Sequence, residues 1–134
     1  MKKLRYTPPY DNQGNTRFRP TFKKSGVYLI TENGIVTYIG HSRTNLYKTM
    51  YRHFQVWRHS SQEVISYAAR MNRHDYKVRV VLCTPAQAMR LERALVIKYQ
   101  PRDNEQKYEQ YMLNFNDRKL VKDYEDQPAD PLPF

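Results

Sequence analysis

The sequence predicts an α/β domain of the α+β kind, a small mixed or antiparallel sheet of three strands flanked by helices. Three observations predict it. In the stretch from Gly26 to Gly40, Val27 and Leu29, then Ile35, Thr37 and Ile39, alternate with Tyr28, Ile30, Val36 and Tyr38. Between the two runs sits Asn33-Gly34, the pair that most readily takes the positive φ angles of a tight hairpin turn. Lys77 to Leu82 (KVRVVL) alternates charge with valine and reads as a third, half-buried strand. Thr84-Pro85-Ala86-Gln87 then opens a helix, with threonine as N-cap, proline in the first turn and glutamine completing a capping box. At 134 residues the chain holds one core and one domain.

Residues 1–24 precede this pattern as a basic arm. Seven Lys/Arg (Lys2, Lys3, Arg5, Arg17, Arg19, Lys23 and Lys24) stand against Asp11 alone, and Pro8, Pro9 and Pro20 argue against a long helix. Such an arm either lies along phosphates or packs loosely on the domain through Tyr6, Tyr10, Phe18 and Phe22. The domain proper is expected over 25–116. After the hairpin, His41-Ser42-Arg43 leads into a helix from Thr44 or Asn45, both good N-caps, to Arg58. Leu46, Met50, Phe54 and Trp57 give that helix an apolar face, with Thr49 and His53 beside it. Ser60 to Asp75 reads either as a short helix opened by Ser60 and Glu63 or as a strand through Val64 to Tyr67. The strand, followed by an irregular basic connection, is preferred. Ala88, Leu91, Leu95 and Tyr99 line the next helix, which Pro101 ends. Beyond Asn104 the chain turns polar, with Tyr108, Tyr111, Leu113 and Phe115 as anchors. Residues 117–134, acidic and carrying Pro128, Pro131 and Pro133, are expected to form a mobile tail.

Charge narrows the partners. Lysine and arginine number 23 against 13 acidic residues, a net charge of +10, which favours nucleic acid or an anionic membrane surface. The charge is spread through the domain rather than along one amphipathic helix, and no apolar run approaches the roughly 20 residues that span a bilayer. Nucleic acid is therefore the expected partner, and no membrane. Met1 to Tyr10 lacks the apolar centre of a secretory signal. Cys83, the single cysteine, makes no internal disulfide and fits a reducing cytoplasm. Four histidines with no close cysteine pair do not suggest a structural zinc site. From His41 to Arg79 eight Lys/Arg (Arg43, Lys48, Arg52, Arg58, Arg70, Arg73, Lys77 and Arg79) stand against Glu63 and Asp75. Aromatic residues are interleaved among them, a pattern suited to phosphates and bases although many of those rings must fill the core.

The ends of the hairpin carry a more specific signal. Gly26-Val27-Tyr28 opens its first strand, and Tyr38-Ile39-Gly40 closes its second. This resembles the signature of the GIY-YIG nuclease family, with valine for the first isoleucine. In that family a following helix carries a histidine or tyrosine, a second helix a glutamate, and an asparagine comes twelve residues later. His53, Glu92 and Asn104 match those positions in order. The resemblance covers Gly26 to Asn104 and implies a magnesium- or manganese-dependent endonuclease that hydrolyses phosphodiester bonds in DNA. It implies Tyr28 as general base, Tyr38 in support, His53 for acid/base work or phosphate binding, Glu92 as metal ligand and Asn104 as a brace. Lys48, Arg58, Arg70, Arg73, Lys77 and Arg79 are the expected nucleic-acid-binding residues.

One position departs from the family pattern. Thr49 stands where the family usually has the arginine that holds the scissile phosphate. Arg52 and Arg43 are the residues expected to compensate, and Lys48 is a further candidate. Without compensation the chain would be a weak or inactive domain that binds nucleic acid. The residue types alone also admit blander roles: Tyr28 and Tyr38 as core phenols, Glu92 paired with Lys98, Arg93 or a strand arginine, and Asn104 as a helix stop. A domain of this size has no room for an attached recognition module. Specificity would come from the arm, the 60–75 segment, a homodimer or a partner protein.

Overall fold

The computed structural model describes residues 1–55, 65–104 and 111–134. Its strands are β1 (Lys2–Lys3), β2 (Gly26–Glu32), β3 (Ile35–Ser42) and β4 (Tyr76–Leu82), and its helices are α1 (Leu46–Tyr51), α2 (Pro85–Tyr99) and α3 (Phe115–Asp126). Single 3₁₀ turns lie at Arg19–Thr21, Arg52–Phe54 and Ala68–Arg70. The sheet has four antiparallel strands in the order β1-β4-β2-β3.

All seven residues of β2 are buried, as its central place between β3 and β4 requires. The turn forms at Asn33 (φ 53) and Gly34 (φ 84). A register shift between Ile30 and Thr31 marks a bulge in the hairpin. The two signature glycines have separate reasons. A Cβ on Gly26 would stand 2.1 Å from the Val81 carbonyl oxygen, while one on Gly40 would stand 2.4 Å from the Tyr28 phenol, which lies across it. Gly40 is opposite Tyr28 in the β2–β3 register, so the tyrosine ring occupies the space a side chain would need.

Successive residues of a strand point to opposite faces, and the two faces carry separate cores. On the first, Tyr28, Ile30, Val78 and Val80 pack with Leu46 and Met50 of α1, with Tyr51 and Phe54, and with Tyr67, Tyr76, Leu4 and Phe18. On the second, Val27, Leu29, Ile39 and Val81 pack with Leu91 and Leu95 of α2 and with Leu120, Val121 and Tyr124 of α3. Helix α2 begins with the expected capping box at Thr84 and Gln87 and ends at Gln100 in the left-handed conformation (φ 44). Helix α1 begins at Asn45, whose side chain accepts from the Lys48 amide.

Four expectations need correction. The sheet has a fourth strand, because the N-terminal segment carries Leu4 into the core and runs along the outer side of β4. Lys2 and Lys3 pair with Leu82 and Val81, the Leu4 amide donates to the Val80 carbonyl, and Thr7 and Val78 exchange two backbone bonds. The rest of the segment is held as well: the Tyr51 hydroxyl donates to the Pro9 carbonyl at 2.6 Å and accepts from the Arg17 and Phe18 amides. Helix α1 gives way at Tyr51 to a tighter 3₁₀ turn, short of the expected end at Arg58, which with Trp57 lies outside the described residues. No strand forms between Ile65 and Asp75, where the chain makes a 3₁₀ turn; residues 60–64 are outside the described ones. Finally, the acidic C-terminal stretch contains α3. Asn114 caps it by accepting from the Asp117 amide, and Leu120, Val121 and Tyr124 bury its inner face. Among the described residues no helix is long and apolar enough to cross a membrane.

Candidate active site

Three of the expected residues meet on the first face of the sheet. Tyr28 is 2% exposed, and its hydroxyl lies 2.9 Å from His53 Nε2. His53 Nδ1 lies 2.7 Å from the Ile65 carbonyl oxygen. A carbonyl only accepts, so in the neutral ring Nδ1 carries the proton and Nε2 accepts from the Tyr28 hydroxyl. The 3₁₀ turn that carries His53 is also tied to this segment through its backbone, the Tyr67 amide donating to the His53 carbonyl at 2.6 Å. Tyr38 completes the cluster. Its ring is 6.1 Å from that of Tyr28, inclined by 25°, and 4.4 Å from that of His53.

Burial pushes the Tyr28 phenol well above its ordinary pKa, and the Tyr38 and Glu92 charges add to the shift. Tyr38 is raised in the same way, first by burial and then by Glu92. Neither phenol is therefore ionised at neutral pH.

Glu92 arrives from α2 and is 1% exposed. The Tyr111 hydroxyl spans its two carboxylate oxygens at 3.3 and 3.2 Å. Burial, followed by the Glu92 charge, raises the Tyr111 pKa. Lys98, one partner considered for Glu92, is paired with Glu125, and Arg93 lies over the Tyr111 ring. Asn104 is 2% exposed and reads the backbone of Ile39 in both directions. Its Oδ1 accepts from the Ile39 amide at 2.8 Å, and its Nδ2 donates to the Ile39 carbonyl at 2.9 Å. The side chain thus behaves as one residue of a further strand against β3. The helix itself stops at Gln100.

The expected cations divide. Arg43 is exposed in the loop after β3, Lys48 is exposed on α1, and Arg52 is half-buried at the start of the His53 turn. Thr49 is half-exposed on α1. Arg73 is exposed, and Lys77 is exposed with Asp75 at 4.0 Å. Arg70 pairs with Glu32 at 2.8 Å. Arg79 is built into the fold, its guanidinium donating to the Leu4 carbonyl and the Tyr124 hydroxyl and lying 4.2 Å from the Tyr6 ring centroid. Arg58 lies outside the described residues.

Sequence reasoning passed over several supports of this site. Tyr111 was expected only as an anchor, and nothing in the residue pattern ties it to Glu92. Glu32 accepts from Arg70, Arg102 and Tyr76. The Arg102 contact, then Tyr76, hold its carboxyl at a pKa of about 2. Arg102 also grips Asp103, which accepts from the Tyr67 hydroxyl at 2.6 Å. These bonds join the segment under His53 to the turn bearing Asn104. The adjacency of Arg102, Asp103 and Asn104 was visible in the sequence; their partners were not. No protein-family model matches the chain, and no curated protein matches it.

Proposed function

We propose that the chain is a divalent-metal-dependent endonuclease that hydrolyses phosphodiester bonds in DNA, of the GIY-YIG kind that its sequence resembles. The observation that carries this reading is the Tyr28–His53 hydrogen bond, with its direction set by the Ile65 carbonyl. An attacking water needs a proton acceptor, and a buried phenol is not one by itself. As the water gives its proton to the Tyr28 oxygen, the Tyr28 proton moves to His53 Nε2. The imidazole becomes doubly protonated while Nδ1–H stays on Ile65. Because the phenol pKa is raised, the two transfers are coupled and no free phenolate accumulates. Tyr38 packs beside both rings and fixes their relative position.

The donor chemistry around Glu92 fits a hard cation. Carboxylate and phenol oxygens are the groups at hand, and magnesium is commonly held by one or two carboxylates together with water and substrate phosphate. A closed cage is not required, and among the described residues no cluster of three His, Cys, Asp or Glu forms one. Glu92 is the residue that would hold the ion, with Tyr111 moving off its oxygens. Magnesium or manganese bound there would polarise a phosphate oxygen.

The test is cleavage of supercoiled, linear, branched and single-stranded DNA, and of RNA, by the chain and by Glu92→Ala. Each is assayed with magnesium, with manganese and with EDTA. Metal-dependent nicking is expected, with loss of about a hundredfold or more in the variant and DNA affinity retained. A second reading, a nucleic-acid-binding module without turnover, is favoured by Thr49 in place of the phosphate-holding arginine and by the burial of Glu92 beneath Tyr111. Salt-sensitive binding with no cleavage of any substrate would establish it instead.

A further inference from the structure

The exposed cations of residues 19–48 form a surface of their own. Between Asp11 and Glu63 the chain carries a single acidic residue, Glu32, whose carboxylate is taken up by Arg70, Arg102 and Tyr76. Arg19, Lys23 and Lys24 are exposed on and just after the 3₁₀ turn Arg19–Thr21. The Leu46 amide donates to the Lys24 carbonyl at 2.9 Å, which brings this turn against the start of α1. There it adjoins exposed Arg43 and Lys48. None of these five cations enters an ion pair with a described residue.

An aromatic ring stands among them. Phe22 is 50% exposed. Its ring meets that of Tyr47 edge-on at 6.4 Å, and the Lys23 ammonium lies 5.7 Å from its centroid. Tyr47 is fixed in turn, by a 2.8 Å hydrogen bond with the Thr16 hydroxyl and by the Tyr51 ring at 4.7 Å. Phe22 is therefore a supported platform with an open side. Phosphates complement the cations, and an unpaired base complements the ring; a base in a duplex keeps its faces within its own stack.

We propose that this surface binds single-stranded DNA, with phosphates along Arg19, Lys24, Arg43 and Lys48 and one base stacked on Phe22. The choice of DNA rests on the nuclease reading; the charge and the platform do not. The site would thus receive its substrate with an unpaired strand leading away over the N-terminal segment.

Fluorescence anisotropy tests this with labelled oligothymidylate, a duplex of the same length and oligouridylate, all in EDTA so that nothing is cut. Oligothymidylate should bind most tightly. Phe22→Ala should weaken it about tenfold while changing duplex binding less than twofold. The double variant Arg19→Ala/Lys24→Ala should lower the slope of log affinity against log salt by about 1.4, two contacts at roughly 0.7 each for a single strand. These side chains are exposed, and unchanged circular dichroism will show that the fold is kept. A silent Phe22→Ala, or equal losses for single strand and duplex, would overturn the proposal. Tighter binding of oligouridylate would overturn the assignment to DNA. The two readings fail differently: binding as described without any magnesium-dependent cleavage removes the nuclease and leaves the surface, whereas cleavage with unaltered binding in both variants does the reverse.

Discussion

Across one sheet, the face that carries Tyr28 packs against phenols, phenylalanines and a histidine, whereas the opposite face packs against leucine, valine and alanine of α2 and against α3. Both exclude water about equally well. They differ in what they carry inside. Each buried phenol on the first face brings a hydroxyl that must find a partner, and these hydroxyls end on His53, Pro9, Glu32 and Asp103. The first face is thus a core with directed hydrogen bonds running through it, able to hold a proton at a chosen atom. The second supplies cohesion; charged groups such as Lys3 and Arg79 meet it at Tyr124, and Asp117 is buried at the start of α3. Cores of either kind hold a fold together; the first also carries buried hydroxyls in fixed directions.

One substitution on each face should separate the two roles. The largest expected effect is on turnover: on the proposed mechanism, Tyr28→Phe should lower DNA cleavage by about 10²–10⁴-fold, because it removes the hydroxyl assigned to take the water's proton. Its stability cost, read from urea unfolding, should be only about 1–3 kcal/mol for the lost Tyr28–His53 hydrogen bond. Leu95→Ala on the other face should do the converse. It should lower unfolding free energy by about 2–5 kcal/mol and leave cleavage per folded molecule unchanged. If Leu95→Ala also reduced turnover per folded molecule, the division between the faces would fail.

Gly40→Ala comes next, because its new methyl falls on the Tyr28 phenol. Overpacking of this kind costs about 1–3 kcal/mol, and here the displaced group is the one bonded to His53. Cleavage should fall along with stability, which Gly26→Ala, placed against the Val81 backbone carbonyl, would not distinguish from simple unfolding. The smallest effect concerns acid. Glu32 titrates at about 2 in the fold against an ordinary 4.5, so its contribution is complete above pH 4.5. It is lost as pH falls towards 2. Circular dichroism against pH should show that loss, and Glu32→Gln should flatten the profile over the same interval.

The parts legible in the sequence were those with local signals. Asn33-Gly34 sets a turn by its own backbone preference, and Thr84 with Gln87 caps a helix within four residues. The order of Tyr28, Tyr38, His53, Glu92 and Asn104 could be read, and the structure brings the first three into one ring cluster. What escaped reading depends on partners far along the chain. Two residues of β1 carry no strand pattern, and the seven cations of that segment conceal Leu4 as a core residue. Helix α3 was obscured by its charge, although Asn114 followed by Asp117 and the spacing of Leu120, Val121 and Tyr124 were signals that could have found it. The Ile65 carbonyl, which settles the state of His53, is backbone, and no residue type announces it.

The covering of β4 by residues 2–7 also bears on how the chain is made. Lys2 and Leu4 leave the ribosome some eighty residues before the strand they pair with. The Lys3 ammonium is secured on the Tyr124 carbonyl and ring of α3, and the Asp130 amide and carbonyl clasp Lys3 and Arg5. These contacts can form only after the residues far along the chain have been made. Until they do, β4 presents an open row of backbone donors and acceptors to any neighbouring nascent chain.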